Sequence, residues 1–426
     1  MFSGLKMSAG ALLFTTLALG CGGARGKVRD GDDYMSRARY DAAARAYGEA
    51  VSRKPGWGDA QRKLAEALLA SGEPDRALVA AQEACRLEAH ACEGPQVQAL
   101  DKLMRGRAIL RTHWDEGLGD AIELLGRAEE EAPEDVGIAS SLAISLARQG
   151  FLTWSAGGGE ATLRRARLIA ERALRLNAES GEAQLALAHV RLYSSDVAGA
   201  AESLRATLAR SPGLARAQEM LGNIALEVGL IDEGITRLQA ALTLDPGAYR
   251  ARLDLARGYA LLGRWDKADE LLAYPNESLA GRAARYILAC RFTGWAPRPM
   301  PTDDLAELPP GRSRDLATFV RGLYERVAAG ASAPELVNIA NLSPILGLHP
   351  LLRAVRGQSA SEVSTLLGDP DSGMSALRFA VEAELHDISW MDHCAALVPL
   401  RSLPGWAEER GKVAARAEAI ARAIRG

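Results

Sequence analysis

The residues richest in chemical possibility lie near the C-terminus, in HDISWMDHC, where His386, Asp387, Asp392, His393 and Cys394 crowd together. Imidazole, carboxylate and thiol are the side chains that hold transition metals or move protons. His386 and His393 are seven residues apart, roughly two helical turns, so on a continuous helix both would face one way. That spacing permits a metal site but is no recognised ligand motif; polar groups on a half-buried helix satisfy it equally. Elsewhere chemistry is sparse. The chain has no GxxxxGK[ST], no strand-borne GxGxxG, no HExxH and no GxSxG. Gly157, Gly158 and Gly159 precede a helix, where glycines can cradle an anion, but no Lys-Ser/Thr follows. Glu129, Glu130 and Glu131 read as a solvated helix end. No catalytic residue, cofactor or metal is assigned, and the chain is read as a non-enzyme.

The cysteines are few. Cys85 and Cys92 flank a helix end in EACRLEAHACEG. Three readings stay open there: a disulfide pinning the helix to its loop, two inert thiols, or a metal site with His90.

The elements that would position such groups are helical. Of 426 residues, 25% are charged and only 5% aromatic, with Ala, Leu and Arg abundant, which favours helix over sheet. A formal net charge of −3 supplies no basic field for nucleic acid. The most regular stretch is LARAQEMLGNIALEVGLIDEGITRLQAALTLDP, residues 214–246. It reads as two helices, broken at Gly229 and stopped at Pro246, with Gly222, Ala225, Gly234 and Ala241 where the helices touch. The small residue opening each second helix recurs at Ala166, Ala200, Gly234 and Ala268, in steps of 34, and at Ala43 and Ala77, again 34 apart. Ala121 opens another unit. A proline follows the small residue by 12 positions at Pro55, Pro133, Pro212 and Pro246. A helix pair this short cannot bury its apolar face alone and must stack on copies of itself.

This pattern resembles the tetratricopeptide repeat family, over about seven units between residues 24 and 275. FLTWSAGGGEAT (151–162) lengthens the turn of the fourth unit, and Pro275 shortens the last helix. The resemblance implies an all-α, right-handed superhelical solenoid of helix-turn-helix repeats spanning 21–295, closed by a capping helix at 278–294. Five prolines in 296–311 mark a linker. Residues 312–426 read as a smaller C-terminal helical domain, with degenerate repeats as one reading. Its ISWMDHCAALVPLRSLPGW is similar to segments that close tetratricopeptide regions in some bacterial signalling proteins.

In that family the first helices line a concave groove at repeat positions two, five, nine and twelve. Here these include Arg62 and Glu66; Glu182, Leu185, His189 and Leu192; Arg216, Glu219, Asn223 and Leu226; and Arg250, Leu253, Arg257 and Ala260. Long polar side chains alternating with aliphatic ones suit an extended or helical peptide segment. The Lys/Asn clamp that some members use for a C-terminal carboxylate is not reproduced.

The first 20 residues read as an address. Lys6 precedes an apolar run from about Ala9 to Leu19, too short to span a membrane, which ends Leu17-Ala18-Leu19-Gly20-Cys21. This resembles the lipobox of bacterial lipoproteins, which implies cleavage before Cys21 and its lipidation. Gly22 after the cysteine then implies sorting to the outer membrane of a Gram-negative bacterium, on its periplasmic face. The expected role is a lipid-anchored scaffold that binds protein partners of the cell envelope and supports a complex such as pilus secretin, outer-membrane assembly, gliding or export machinery. No nucleic acid and no small-molecule substrate are expected. The alternatives are an envelope enzyme or metal-binding protein built on His386, Asp392 and His393, or a purely structural envelope protein.

Overall fold

The computed structural model describes residues 13–37, 39–71, 73–87, 95–112, 117–154, 157–274, 279–302, 305–308, 310–330 and 349–426. Among them every regular element is helical. The chain divides into two compact units: Met1–Ala108 with Glu123–Ala139, and Ile109–Ile122 with Ser140–Gly426.

The first unit contains the hairpins α1 (Leu13–Ser36) with α2 (Tyr40–Arg53) and α3 (Gly58–Ala70) with α4 (Pro74–Leu87). The division runs through α5 (Pro95–Thr112), α6 (Leu118–Glu131) and α7 (Val136–Leu152). The second unit continues with α8 (Gly159–Leu176), α9 (Gly181–Leu192), α10 (Val197–Arg210), α11 (Ala215–Glu227), α12 (Ile231–Leu244), α13 (Tyr249–Leu261) and α14 (Trp265–Ala273). Then come α15 (Leu279–Trp295), α16 (Arg312–Ala328), α17 (Pro350–Leu366), α18 (Pro370–Glu382), α19 (Ile388–His393) and α20 (Trp406–Arg425).

The small-residue series does what its spacing demands. Ala43, Ala77, Ala121, Ala166, Ala200 and Ala268 are all buried, near the start of alternate helices. Gly234 occupies the same place. A Cβ there would lie 2.8 Å from the Gly222 carbonyl oxygen, and one at Gly222 would lie 3.0 Å from Leu238 Cγ. Only a residue without a side chain lets α11 and α12 approach this closely. The stop prolines each fall two residues past a helix end, at Arg53, Glu131, Arg210 and Leu244. The turn inside each hairpin follows the same period. Ser195, Gly229 and Gly263, 34 residues apart, all have positive φ, the left-handed conformation that ends a helix and favours glycine.

The lengthened turn of the fourth unit ends at Gly159, where a Cβ would lie 2.4 Å from the Gly150 carbonyl oxygen. This glycine serves close helix approach.

Past α15 the segment 296–311, expected as a linker, carries Leu305 and Leu308 buried in one core with Tyr286 of α15, Tyr324 of α16 and Val363 of α17. These two leucines pack inside the second unit. A larger core joins Leu221, Leu226 and Leu255 of the repeats to Leu377, Trp390, Leu397 and Val413 of the C-terminal helices. α17 takes in most of HPLLRAVRGQ, from Pro350, and runs on to Leu366.

Buried polar bonds fix this arrangement. Glu362 of α17, fully buried, accepts from Arg291 Nε of α15 at 3.1 Å, Trp390 Nε1 at 2.6 Å and Tyr324 Oη at 3.3 Å. Ser389 Oγ donates to the Leu226 carbonyl of α11 at 2.5 Å. Buried charges are tolerated only when paired and hydrogen-bonded, and Glu362 meets that condition.

Candidate functional site

The expected groove positions of three successive repeats converge. His189 and Leu192 of α9, Arg216, Glu219 and Asn223 of α11, and Arg250 of α13 line one cavity of about 240 Å³. Helical periodicity explains it. Residues three and four apart share a face, and the 34-residue repeat turns the same face of each first helix the same way. The opposite wall comes from the C-terminal region: Leu351, Ala354, Val355 and Gln358 of α17, and Leu385, His386 and Asp387 before α19.

Most charged groups in this wall are already answered. Arg216 pairs with Glu219, one turn along α11. His386 Nε2 lies 3.0 Å from Glu227 Oε2, and Asn223 Nδ2 donates to the same carboxylate at 3.3 Å. Burial opposes both charges of the His386–Glu227 pair, yet the hydrogen bond and mutual attraction prevail. They raise the imidazole above its ordinary range and lower the carboxyl below its own. Asp387 accepts from Trp390 N at 2.9 Å and Gln358 Nε2 at 3.1 Å, and forms an ion pair with Arg257.

Two groups stand apart. Asp254 of α13 makes no hydrogen bond or ion pair among the described residues. Burial, reinforced by the nearby carboxylates Glu219 and Glu227, pushes it up to about 7. His189, 1% exposed, has Nδ1 buried without a hydrogen-bond partner. Burial, then the neighbouring Arg216, Arg148 and Arg250, holds its imidazole well below the ordinary range, so it is neutral near pH 7. Cations thus border His189, while Asp254 meets the carboxylates Glu219 and Glu227 on α11 and the guanidinium groups Arg257 and Arg250 on its own helix.

The other expected site residues fall elsewhere. Arg257 does not line the cavity; it is engaged by Asp387 from the chain's own C-terminal region. Glu182 is half-buried on α9, away from the cavity lining. Arg62 and Glu66 lie on α3 of the first unit, where Arg62 pairs with Glu66 and, at 2.7 Å, with Asp59. Cys85 is disulfide-bonded, and Cys92 lies outside the described residues. The Cys21 side chain, His90, His113 and Trp114 also lie outside them.

The HDISWMDHC cluster is divided by a helix cap. Asp387 caps α19, so the helix begins at Ile388 and His386 precedes it. The two histidines therefore do not share a helical face. His386 reaches Glu227, Asp392 binds Arg410 through Nε at 2.6 Å, and His393 is exposed. Among the described residues no three His, Cys, Asp or Glu side chains gather closely enough to hold a metal ion.

Glu227 and Asp254 were open to sequence reasoning. Each lies four residues beyond an expected groove position, Asn223 and Arg250, hence on the same helix face.

Tetratricopeptide repeat family models match residues 29–90 and 185–233, and a second such model matches 225–286. The chain is a tetratricopeptide repeat protein. The repeat matches include α9, α11 and α13, the three helices of the near wall. No curated protein matches the chain. Solved structures similar to it include a thermophilic tetratricopeptide repeat protein of Thermus thermophilus, 18% identical, covering 56% of this chain and 99% of its own, with a TM-score of 0.28. MamA of Desulfovibrio magneticus is 21% identical over 41% of this chain and 90% of its own, with a TM-score of 0.28. Human IFIT1, solved as a dimer with PPP-AAAA, is 16% identical over 85% and 84%, with a TM-score of 0.45. These likenesses carry no argument about function. Among the described residues no helix is long and apolar enough to cross a membrane.

Proposed function

We propose that this tetratricopeptide repeat protein is a non-catalytic adaptor that holds a segment of a protein partner at the α9–α11–α13 face. We further propose that acyl chains on Cys21 tether it to the periplasmic face of an outer membrane, where it supports assembly of an envelope complex. The observation that carries the first part is the convergence of His189, Arg216, Glu219, Asn223 and Arg250, from three repeats, on one open cavity. At about 240 Å³ it is smaller than the ~300–1,000 Å³ of ordinary ligand pockets, a size for a side chain or chain end of the partner. The tether rests on the lipobox-like run ending at Cys21 and on the stable anchoring that several acyl chains provide.

The test is crosslinking in intact cells, followed by purification from detergent-solubilised membranes and mass spectrometry, for the native protein and Arg250→Glu. The expected result is a stoichiometric envelope partner, at least tenfold depleted in a folded Arg250→Glu protein. Equal capture by that variant would remove the cavity from the reading. The same spectra address the tether: an N-terminal peptide starting at Cys21 with acyl mass supports it, and an unmodified N-terminus elsewhere overturns it.

A further inference from the structure

One carboxylate of the cavity has no direct partner among the described residues. Glu219 has Arg216, Glu227 has His386, and Asp387 has Arg257. Asp254 lines the same space with no hydrogen bond or ion pair among the described residues. A second, independent feature points the same way: the buried His189 Nδ1, on a residue that also lines the cavity, lacks a partner. Buried polar atoms are ordinarily satisfied, and His189 Nδ1 is not; with the half-buried, unpartnered Asp254 carboxylate bordering the same cavity, it describes a site complementary to something absent from the chain.

We propose that this cavity binds an organic ammonium group, with the Asp254 carboxylate as counter-ion and His189 Nδ1 bonding an adjoining polar group of the same ligand. The carboxylates Glu219 and Glu227 strengthen the negative potential at Asp254, while Arg216 and Arg250 on the other side suit a carbonyl or carboxylate next to the amine. A lysine side chain or amino terminus within a peptide meets both demands, as does a free amino acid. The inference rests on the cavity. It deepens the adaptor reading if the ammonium comes from a partner, and it stands without that reading if the ligand is a free amine.

Affinity should depend on pH in a definite direction. Facing Asp254 are Glu219 and Glu227 from α11 and Arg250 and Arg257 from its own helix; His386 and Asp387, from the segment before α19, are held by Glu227 and Arg257. With Asp254 pushed up to about 7, only its ionised form attracts the ammonium, so affinity falls about tenfold per pH unit below 7 and levels off above. Loss of the His386 proton at higher pH acts in the same direction.

The experiment is titration calorimetry on the full-length protein in detergent. The probes are acetyl-Gly-Lys-Gly-amide, free lysine, and the same peptide with its lysine acetylated. Binding of an ammonium probe, at least tenfold weaker to Asp254→Asn and at least tenfold weaker for the acetylated peptide, supports the proposal. Tighter binding of the peptide assigns the ammonium to a partner segment; tighter binding of free lysine assigns it to a small amine. No binding of either ammonium probe at about 5 mM, or equal binding of the acetylated peptide to the native protein, overturns it. The acetylated peptide is judged on the native protein, so the test holds even if Asp254→Asn misfolds. The adaptor reading fails separately. Ammonium binding by the native protein with no envelope partner recovered from cells removes that reading and leaves this one, and recovery of a partner with no ammonium binding does the reverse.

Discussion

Two stretches of the same repeat pattern meet different fates. In the first unit Arg62 and Glu66 occupy groove positions on α3, bond to each other, and keep more than a third of each side chain open to water. In the second unit the equivalent faces of α9, α11 and α13 are walled by α17 and residues 385–387, which supply a partner from far along the chain to Glu227 and leave Asp254 without one. The repeat supplies a row of polar side chains in both places. What makes a site of one row is the second wall, which removes water and lets each charge act at full strength on its neighbours.

The strongest way to break this contrast is to loosen the second wall. Glu362→Ala leaves Arg291 buried without its carboxylate and removes the acceptor of Trp390 and Tyr324. A stability loss of about 3–5 kcal/mol is expected in urea unfolding; a loss below about 1 kcal/mol would show that this network does not hold the wall.

Asp254→Asn sharpens the contrast through pH. A carboxyl raised in the folded state binds its proton more tightly there than in the unfolded chain. Stability therefore falls as pH rises from the unfolded value near 4 to the folded value of about 7, then stays flat. The variant should be more stable than the native protein at pH 8 by on the order of 2 kcal/mol, the side chain being only partly shielded, with little difference near pH 4. Equal stabilities at pH 8 would mean that Asp254 is not strained by its surroundings.

Ser195→Gly probes the non-uniformity of the repeats themselves. Ser195 holds the left-handed turn conformation that Gly229 and Gly263 hold in the next two units, so glycine should stabilise by about 1 kcal/mol in thermal or chemical unfolding. The smallest effect belongs to the first unit. Arg62→Ala should change stability by less than about 0.5 kcal/mol, as solvent-accessible helix-surface pairs contribute little; a larger loss would mean that water screens this pair no better than it does the charges of the second unit.

The near wall was readable because it repeats. Small residues at a 34-residue period can only mean close-packed helix pairs, and one face of each first helix follows from that register. Glu227 and Asp254 escaped because the positions carried over from the family name Leu226 and Leu253, each one residue short of the carboxylate. The far wall was unreadable for a different reason. Nothing local in HPLLRAVRGQ or HDISWMDHC says what it packs against, and pairing between residues 130 or more apart leaves no trace in periodicity. His386 and Asp387 drew attention as chemical groups. The spacing of His386 and His393 suggested a shared helix face, which the Asp387 cap prevents.

The bonds that close the cavity also bear on how the second unit folds. A chain of repeats that touch only their neighbours can form and fray piecemeal, each pair adding its own increment. Ser389 to Leu226 spans 163 positions, His386 to Glu227 spans 159 and Asp387 to Arg257 spans 130. Such contacts form only after a long loop has closed, which slows folding and makes the last repeats wait for the C-terminus to be synthesised. Once formed, they bind α11 and α13 to α17 and α19 in a single cooperative block, so this half of the chain should open all at once.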